Sequence, residues 1–294
     1  MSGAAFEVDL AAVRRSFDRA ARGYDEAAVL QTEVRSQLLQ RLDYVTLEPG
    51  VILDVGCGTG HSSRSLKDRF PRAQVLALDL AEGMLAQAGA RQSWRRRFAR
   101  VCGDLARLPL AGASVDLVFS NLTLQWCQQA DAAFAEFRRV LRPRGLLNFT
   151  TFGPDTLTEL RESWAVADGH VHVSRFADMH ELGDGLVRAG LAEPVLDVER
   201  FTLTYPDVFG LMRDLKAIGA HNASVHRPRG LTGRGRLRAM QAAYETRRDG
   251  GVLPATYEVV FGQAWGPAGE AQRGRRSGEF RISADDIGRM RGKG

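Results

Sequence analysis

A cluster of glycines follows an acidic residue in the segment VILDVGCGTG at residues 51–60. Gly56, Gly58 and Gly60 come just after Asp54, and a helix-like pattern begins directly behind them. Glycines at such a turn let a ligand approach the backbone, and the amides at the start of the following helix point toward it. The GxGxG spacing differs from the GxGxxG of dinucleotide-binding folds, and the GK[ST] ending of a P-loop is missing here. The loop therefore suggests a nucleotide-like ligand of another kind.

Two further acids follow this loop at the ends of strand-like segments. Asp79 ends the segment QVLALD about 20 residues later, where an acid accepts hydrogen bonds from ribose hydroxyls. Asp104 follows the next segment in CGDLARLPL, where its carboxylate can accept from the exocyclic amine of adenine. Three acids in this order predict a ligand that contains both a ribose and an adenine.

Strand-like and helix-like segments alternate around these residues, which predicts the fold. VILDV, QVLALDL, ARVCGDL, VDLVFSNL and LLNFTTF are strand-like, with amphipathic helical segments between most of them. This alternation is typical of a parallel sheet covered by helices on both faces. We therefore predict an α/β, Rossmann-like, doubly wound and mainly parallel sheet, with an antiparallel edge strand and an inserted helical cap.

The alternation ends after Phe152, which sets the expected domain boundaries. LDVERFTLTYP and ATYEVVFGQAW are strand-like, and the second is expected to return to the sheet edge. The expected organisation is a helical segment over the ligand site at 1–44, a ligand-binding core at 45–152, a cap and substrate segment with one strand at 153–235, a helix and strand at 236–265, and a flexible basic tail at 266–294.

Composition narrows the class of protein and its location. The 294 residues are 44% hydrophobic and 26% charged, as is usual for a soluble enzyme. Glu7 and Asp9 occupy the place where a signal peptide needs an apolar stretch, and no apolar run approaches the roughly 18 residues of a membrane span. Cys57, Cys102 and Cys127 form no CxxC pair, so neither a zinc site nor a disulfide framework is indicated. We expect a cytoplasmic protein.

The motifs DVGCGTG, ALDLAEGML, CGDLARLPL and VDLVFSN follow one another as in the class I S-adenosylmethionine methyltransferases, and this resemblance covers residues 45–150. In that family the first acid and the glycine loop hold the methionine part of the cofactor, the second acid holds the ribose and the third holds the adenine. The resemblance implies S-adenosyl-L-methionine as cofactor, S-adenosyl-L-homocysteine as product and no metal. The implied cofactor-binding residues are Gln31, Asp54, Gly56, Cys57, Gly58, Gly60, Asp79, Leu80, Met84, Asp104, Leu105 and Asn121.

A narrower resemblance runs from residue 14 to 265. FDRAARGYDEAAVLQ, SNLTLQWC, FTTFGPDTLTELR, HVSRFADMHELGDGLVRAG, LTYPDVFGLMRDLKAIGAHN and LPATYEVVFG are similar to the BioC family of malonyl-acyl-carrier-protein O-methyltransferases in biotin synthesis. The similarity implies formation of a methyl ester on the free carboxylate of a malonyl thioester carried by acyl carrier protein.

This chemistry suggests which residues act on the acceptor. A malonyl carboxylate is already ionised at neutral pH, so it needs a positioning group rather than a general base. Arg175 is the candidate to hold it, since guanidinium binds carboxylate bidentately. Tyr24 is expected to close over the cofactor, and Trp126 to pack against the sulfonium or the substrate. The catalytic candidates are Tyr24, Gln125, Trp126, Arg175, Lys216, His221 and Tyr257. Each also has a structural alternative, such as a core aromatic for Trp126 or a surface ion pair for Arg175.

The charge balance suggests an acidic partner. The net charge is +5 and the pI about 9.4, with arginines concentrated in WRRRFAR at 94–100 and in the segment 227–238. Acyl carrier proteins are acidic, so these segments are candidate docking surfaces, with malonyl-coenzyme A as the other possible acceptor. We find no RNA-binding signature or zinc finger, and expect no nucleic acid or membrane partner and a monomeric protein.

Three alternatives remain open from the sequence. A complex I assembly factor that hydroxylates arginine on the same fold has similar segments, but LQWCQQ is closer to the biotin enzyme and the start lacks a transit-peptide pattern. A quinone or other small-molecule methyltransferase should display a catalytic base, and no histidine clearly supplies one. A non-catalytic scaffold would have no need for the glycine loop and all three acids.

Overall fold

The N-terminal segment folds into three helices rather than one. The computed structural model describes residues 8–220, 222–223 and 232–267. The spacing of apolar residues predicted one helical stretch over 8–42, but the helix breaks at Gly23 and again at Ala28, whose ψ of 46° is not helical. The resulting elements are α1 (Leu10–Ala20), α2 (Tyr24–Ala27) and α3 (Val29–Arg41), followed by a 3-10 turn at Leu42–Tyr44.

The core follows the alternation expected from the sequence. Its strands are β1 (Val51–Val55), β2 (Gln74–Asp79), β3 (Ala99–Cys102), β4 (Val115–Ser120) and β5 (Leu141–Phe152). The helices between them are α4 (His61–Arg69), α5 (Glu82–Ala90) and α6 (Ala130–Val140). A second 3-10 turn, Leu124–Trp126, lies between β4 and α6.

The cap segments come after β5 and return to the sheet twice. The helices are α7 (Thr158–Ala167), α8 (Met179–Arg188), α9 (Val208–Ala217) and α10 (Arg234–Glu245), and the strands are β6 (Ala192–Tyr205) and β7 (Leu253–Trp265). Of the tail predicted from residue 266, only 266 and 267 belong to the described residues.

Within the described residues the strands form one seven-stranded sheet in the order β3-β2-β1-β4-β5-β7-β6. Strands β1 to β5 pair in parallel, and β7 pairs antiparallel with both β5 and β6. The predicted fold class is therefore confirmed. The C-terminal strand, however, lies one position inside the edge. The burial patterns give the reason, because β6 alternates between exposed and half-buried residues while β7 is buried almost throughout.

Alternate residues of the strands supply two hydrophobic clusters, one on each face of the sheet. Ile52 packs in the cluster that contains Val34 and Leu38 of α3, and its neighbour Leu53 packs in the cluster that contains Phe134 of α6. Successive strand side chains point to opposite faces, so both faces of β1 are covered. Among the described helices, none is long and apolar enough to span a membrane.

The close pairing of β5 and β7 gives a test of the fold. A Cβ at Gly262 would lie 2.3 Å from the ring of Phe149, whereas a Cβ at Gly235, in helix α10, would meet no atom within 4 Å. We expect Gly262→Ala to lower the free energy of unfolding by about 1–3 kcal/mol through overpacking. Gly235→Ala, the matched control, should raise it by up to about 1 kcal/mol. Urea denaturation measures both, and equal effects would contradict the packing described.

Candidate active site

The main cleft lies at the carboxyl ends of β1, β2, β3 and β4, where ligands bind in open α/β sheets. It encloses about 880 Å³ of empty space, including its open mouth, and helix α1 contributes Leu10, Val13 and Phe17 to its wall. This volume lies within the range of small-molecule sites. The predicted site residues that line the cleft are Tyr24, Gln31, Gly56, Gly58, Asp79, Leu80, Met84, Asp104, Leu105, Asn121, Gln125 and Trp126.

The three glycines of the loop have different roles. All have positive φ, +68° at Gly56, +52° at Gly58 and +85° at Gly60, which L side chains rarely adopt. A Cβ on Gly56 would lie 2.1 Å from Oγ1 of Thr123, and one on Gly60 would lie 2.7 Å from Cβ of Ala88. Gly58 instead faces open space and lines the cleft. Two of the glycines therefore permit close packing, and the third leaves room for a ligand at the backbone.

Asp54 lies buried behind the loop. Its Oδ2 accepts a hydrogen bond of 2.5 Å from the hydroxyl of Ser63, while its Oδ1 is buried without a hydrogen-bond partner. Burial raises the pKa of Asp54 to about 7, an effect that the Ser63 hydrogen bond opposes and the charge of Asp79 adds to. Asp54 itself does not line the cleft, but its neighbours Val55 and Gly56 do, and a buried oxygen without a partner at this position suits a cationic group on the ligand.

Asp79 holds the loop and also lines the cleft. Its two oxygens accept from the backbone N–H of Gly58 at 2.9 Å and of Ala81 at 2.8 Å. Burial raises the pKa of Asp79 to about 6, although these backbone hydrogen bonds oppose the rise. Asp104 lies farther along the cleft, where it accepts from the N–H of Ala106 at 2.9 Å. The acids predicted for ribose and adenine thus lie along one wall.

Two predicted cofactor residues support the loop from outside the cleft. Cys57 is buried beneath it, and burial raises the pKa of the thiol well above its ordinary value, so the thiol stays protonated. Gly60 caps the N-terminus of α4 and packs on α5. Neither residue lines the cleft, so both support the loop from behind.

Helices α1 and α2, residues 10–27, form a cover that is tied to the core by carboxylates. Asp25 accepts a hydrogen bond of 2.6 Å from the hydroxyl of Thr59 in the glycine loop and pairs with Arg91 beyond α5. Asp18 accepts from the N–H of Gly83 at 2.8 Å. On the inner side, Phe17 meets Trp126 edge to face with 5.3 Å between ring centroids. Neither carboxylate is predicted by local sequence pattern, because each contact joins segments far apart in the chain.

A second cavity of about 630 Å³ adjoins the main cleft. The two share Gln125, Trp126 and Phe152, with Ile218 and Ala220 at the same junction. The remaining wall comes mainly from the cap and is largely apolar: it consists of Thr156, Leu157, Leu160, His172, Val173, Ser174, Phe176, Leu215, Asn222 and Tyr257. A ligand in this cavity would reach the main cleft through the shared wall.

The structure brings some of the predicted catalytic residues together and not others. Tyr24 lines the main cleft, Gln125 and Trp126 lie at the junction, and Tyr257 lines the second cavity. Arg175 and Lys216 are exposed and line neither space. His221 lies outside the described residues.

Arg175 differs from its neighbours in its exposure. Ser174 and Phe176 both line the second cavity, whereas Arg175 is exposed and does not. The guanidinium that the sequence assigned to the acceptor carboxylate is thus on the outer side of the cavity wall in this structure.

A histidine that the sequence analysis missed lies on the inner side of the same wall. The ring of His172 stacks on Trp164, with 3.8 Å between centroids and 10° between planes. Its Nε2 lies 2.8 Å from Oδ1 of Asp168. The available signal in the sequence was a histidine four residues after an aspartate, with a tryptophan shortly before both.

The arginine-rich stretch at 94–100 lines neither space. Arg97 and Phe98 form a shallow surface depression with Lys67 and Gln74, at the amino ends of β2 and β3. Arg96 pairs with Asp68 at 3.0 Å. Since the cleft lies at the carboxyl ends, this stretch is at the opposite edge of the sheet. In the other predicted docking segment, 227–238, residues 227–231 lie outside the described residues.

Comparison with known proteins agrees with this geometry. Residues 53–149 match the family described as Methyltransferase domain. The YcgJ protein of Bacillus subtilis has a similar fold, with a TM-score of 0.57 and 16% identity, covering 80% of this chain and 99% of its own. Fold, glycine loop and acids together define a methyltransferase with a Rossmann-like sheet.

Curated relatives give the particular family. A protein of Methylovorus sp. strain MP688 is 58% identical over 91% of this chain and 92% of its own length, and is named a malonyl-acyl-carrier-protein O-methyltransferase. One from Laribacter hongkongensis with the same name is 54% identical over 92% and 93%. The chain therefore belongs to the malonyl-acyl-carrier-protein O-methyltransferase family. The predicted family is confirmed, and these relatives support it over the arginine hydroxylase and quinone alternatives.

Burial of Asp54 predicts a dependence of stability on pH. Because the folded-state pKa is raised to about 7, the folded protein binds a proton that the unfolded chain loses near pH 4. The stability that this bound proton contributes is fully present below pH 4 and is lost as the pH rises through 7. We expect Asp54→Asn to be more stable than the wild type at pH 8 by about 1 kcal/mol or more, and to show a smaller loss of stability from pH 5 to 8.

Urea denaturation at a series of pH values measures this effect. Asp197→Asn, at an exposed carboxylate on β6, serves as the control and should keep the wild-type pH profile. A wild-type profile for Asp54→Asn would contradict the assignment.

The contacts of Asp25 predict how firmly the cover, residues 10–27, is held against the core. Asp25→Ala removes the contacts to Thr59 and Arg91, so residues 10–27 should exchange their amide hydrogens about 5- to 30-fold faster, the effect of losing about 1–2 kcal/mol of local stability. Glu26→Ala is the matched control, because the side chain of Glu26, the next residue, is exposed and forms no hydrogen bond with the glycine loop. Unchanged exchange in Asp25→Ala, or an equal increase in β4, would refute the role of Asp25 as a tie.

Proposed function

We propose that the protein transfers the methyl group of S-adenosyl-L-methionine to the free carboxylate of a malonyl thioester on acyl carrier protein, giving the methyl ester. The observation that carries the proposal is the junction of the two spaces. A main cleft with the acids of a nucleoside site meets a largely apolar cavity through a wall shared by Gln125, Trp126 and Phe152. A donor in one space and an acceptor in the other would meet there.

The residues of the main cleft fit the cofactor chemically. Oδ1 of Asp54 is a buried acceptor without a partner, which suits the ammonium of the methionine part near Gly58. Asp79 lies at the end of β2 with its carboxylate on the cleft, as the ribose hydroxyls require. Leu80, Met84 and Leu105 provide apolar surface beside Asp104 for the adenine. When bound, S-adenosyl-L-methionine supplies an activated methyl group for an in-line displacement.

The protein's own contribution at the junction is orientation and exclusion of water. The acceptor carboxylate is ionised at neutral pH, so no side chain has to remove a proton. Burial and the charge of Asp79 raise the pKa of Tyr24, which therefore stays protonated and serves as a hydrogen-bond donor rather than a base. Phe17 and Trp126 close the junction on the side of the cover. Removing water from a carboxylate oxygen in this way favours its attack on the methyl carbon.

Different segments of the chain surround the cofactor and the acceptor. We infer that helices α1 and α2 cover the cofactor and that residues 153–235 supply most of the acceptor's wall. The acidic carrier protein would approach on the cap side, because the arginines at 95–97 lie at the far edge of the sheet. The cap-side candidates include the exposed cations Arg175, Lys216 and Arg234. This arrangement suits a monomer that docks a carrier protein.

Transfer of label tests the proposal. Purified protein with methyl-labelled S-adenosyl-L-methionine and malonyl-acyl carrier protein should yield a labelled methyl ester that is released by mild base. Malonyl-coenzyme A, tested alongside, should react with a higher KM, because it lacks the docking protein. Asp79→Ala should lose cofactor affinity by about 1–3 kcal/mol and serves as the negative control.

Two outcomes would contradict the proposal. One is cofactor binding without any transfer to the malonyl group. The other is label that survives base treatment, since a methyl group on nitrogen or carbon is not released in this way.

A further inference from the structure

His172 is distinctive in the wall of the second cavity. Among the described residues that line this cavity, it is the one whose side chain can become a cation near neutral pH. The other described lining residues are aliphatic, aromatic or neutral polar. A carboxylate that enters such a cavity loses its hydration and must find a donor there, or pay several kcal/mol.

The ring of His172 is fixed on two sides. It stacks on Trp164, which is itself 6% exposed, and its Nε2 lies 2.8 Å from Oδ1 of Asp168. A carboxylate can only accept, so Nε2 carries the hydrogen of this bond. Within the described part of the chain, no hydrogen bond joins the other ring nitrogen, Nδ1, to the protein.

Asp168 is arranged to remain ionised beside this ring. Burial raises its pKa, but the hydrogen bonds from the N–H of His170 and from His172 outweigh burial and hold the pKa below its ordinary value. Arg236 lies 3.7 Å away on its other side. Since Nε2 is bonded to Asp168, Nδ1 is the ring nitrogen that can donate to a ligand when the ring carries both hydrogens.

Several other polar groups in the wall already have partners. The side-chain amide of Gln125 donates to the carbonyl of Leu122 at 2.7 Å, and the hydroxyl of Thr156 donates to the carbonyl of Glu258 at 2.9 Å. The amide of Asn222 donates to Val171 at 2.6 Å. Each of these bonds uses one hydrogen of its donor, and none of these groups carries a charge.

We propose that His172, oriented by Asp168 and Trp164, binds the free carboxylate of the acceptor through Nδ1. This inference rests on the proposed function and adds the residue that recognises the acceptor's charge, a role for which the sequence suggested Arg175. One carboxylate oxygen is held by the ring, and the other remains free for the methyl group. The methyl ester product has no charge, so it loses the stronger, charge-assisted part of this interaction, which favours its release.

The test compares binding of two carrier-bound acyl groups. His172→Ala should weaken binding of malonyl-acyl carrier protein by about 10- to 100-fold, the range for a lost hydrogen bond to a charged group. Binding of acetyl-acyl carrier protein, which lacks the carboxylate, should stay within about twofold, as should binding of S-adenosyl-L-homocysteine. His172→Asn places an amide N–H near the position of Nδ1 and should recover part of the affinity. His180→Ala, at an exposed histidine on α8, is the matched control.

The outcomes separate this inference from the proposed function. An equal loss of affinity for malonyl and acetyl carriers, or no loss for either, would overturn the role of His172 while leaving the transfer reaction intact. Absence of methyl transfer by the wild type would overturn the proposed function itself. If His172→Ala does not fold, as judged by its thermal transition, His172→Asn with the same two carriers decides: a selective deficit for malonyl supports the contact, and any other pattern opposes it.

Discussion

Asp54 is a carboxylate held inside the protein with one oxygen unpaired, and much of the site is arranged around it. It lies near the carboxyl end of β1, and its position is fixed because this strand pairs with β2 on one side and with β4 on the other. Burying such a group costs stability, which the rest of the fold must supply. The Ser63 hydroxyl satisfies one oxygen, and the other is buried without a partner behind the loop. The fold thus keeps, at some cost in stability, an acceptor atom beside the glycine loop.

The cover and the cap complete this arrangement from two directions. Helices α1 and α2 reach over the cleft and are tied down through Asp25 and Asp18 to the loop and to α5. The cap brings α7 and the extended chain after it against the other side, where Trp164 and His172 stack. Trp126 lies where the two meet, touching Phe17 of the cover and lining both spaces. The main cleft and the second cavity are thus built from segments that only the fold brings together.

Much of the fold follows from local pattern in the sequence. The alternation of strands and helices from VILDV to LLNFTTF predicts the parallel half of the sheet, and residues at the carboxyl ends of parallel strands must share one edge. That rule brings Asp79 and Asp104 to the cleft without any knowledge of side-chain contacts. The position of β7 inside the edge could also have been inferred, because its apolar run VVF is typical of a strand covered on both faces.

The missed features depend on contacts that no local pattern encodes. The tie from Asp25 to Thr59 spans 34 residues, and Phe17 meets Trp126 across more than a hundred. The side of the cavity wall on which Arg175 or His172 lies is decided by the path of an irregular segment, for which neither helical nor strand periodicity applies. Local pattern therefore predicted residues that line the main cleft, whereas the candidates for the second cavity came from the resemblance to a family.

The shared wall at Trp126 has a thermodynamic consequence. One side chain that borders both spaces and also contacts the cover cannot change position for one ligand without changing the environment of the other. If a ligand in one space moves this ring, occupancy of the two spaces is coupled, and linkage requires the coupling to be reciprocal: each ligand changes the affinity for the other by the same factor.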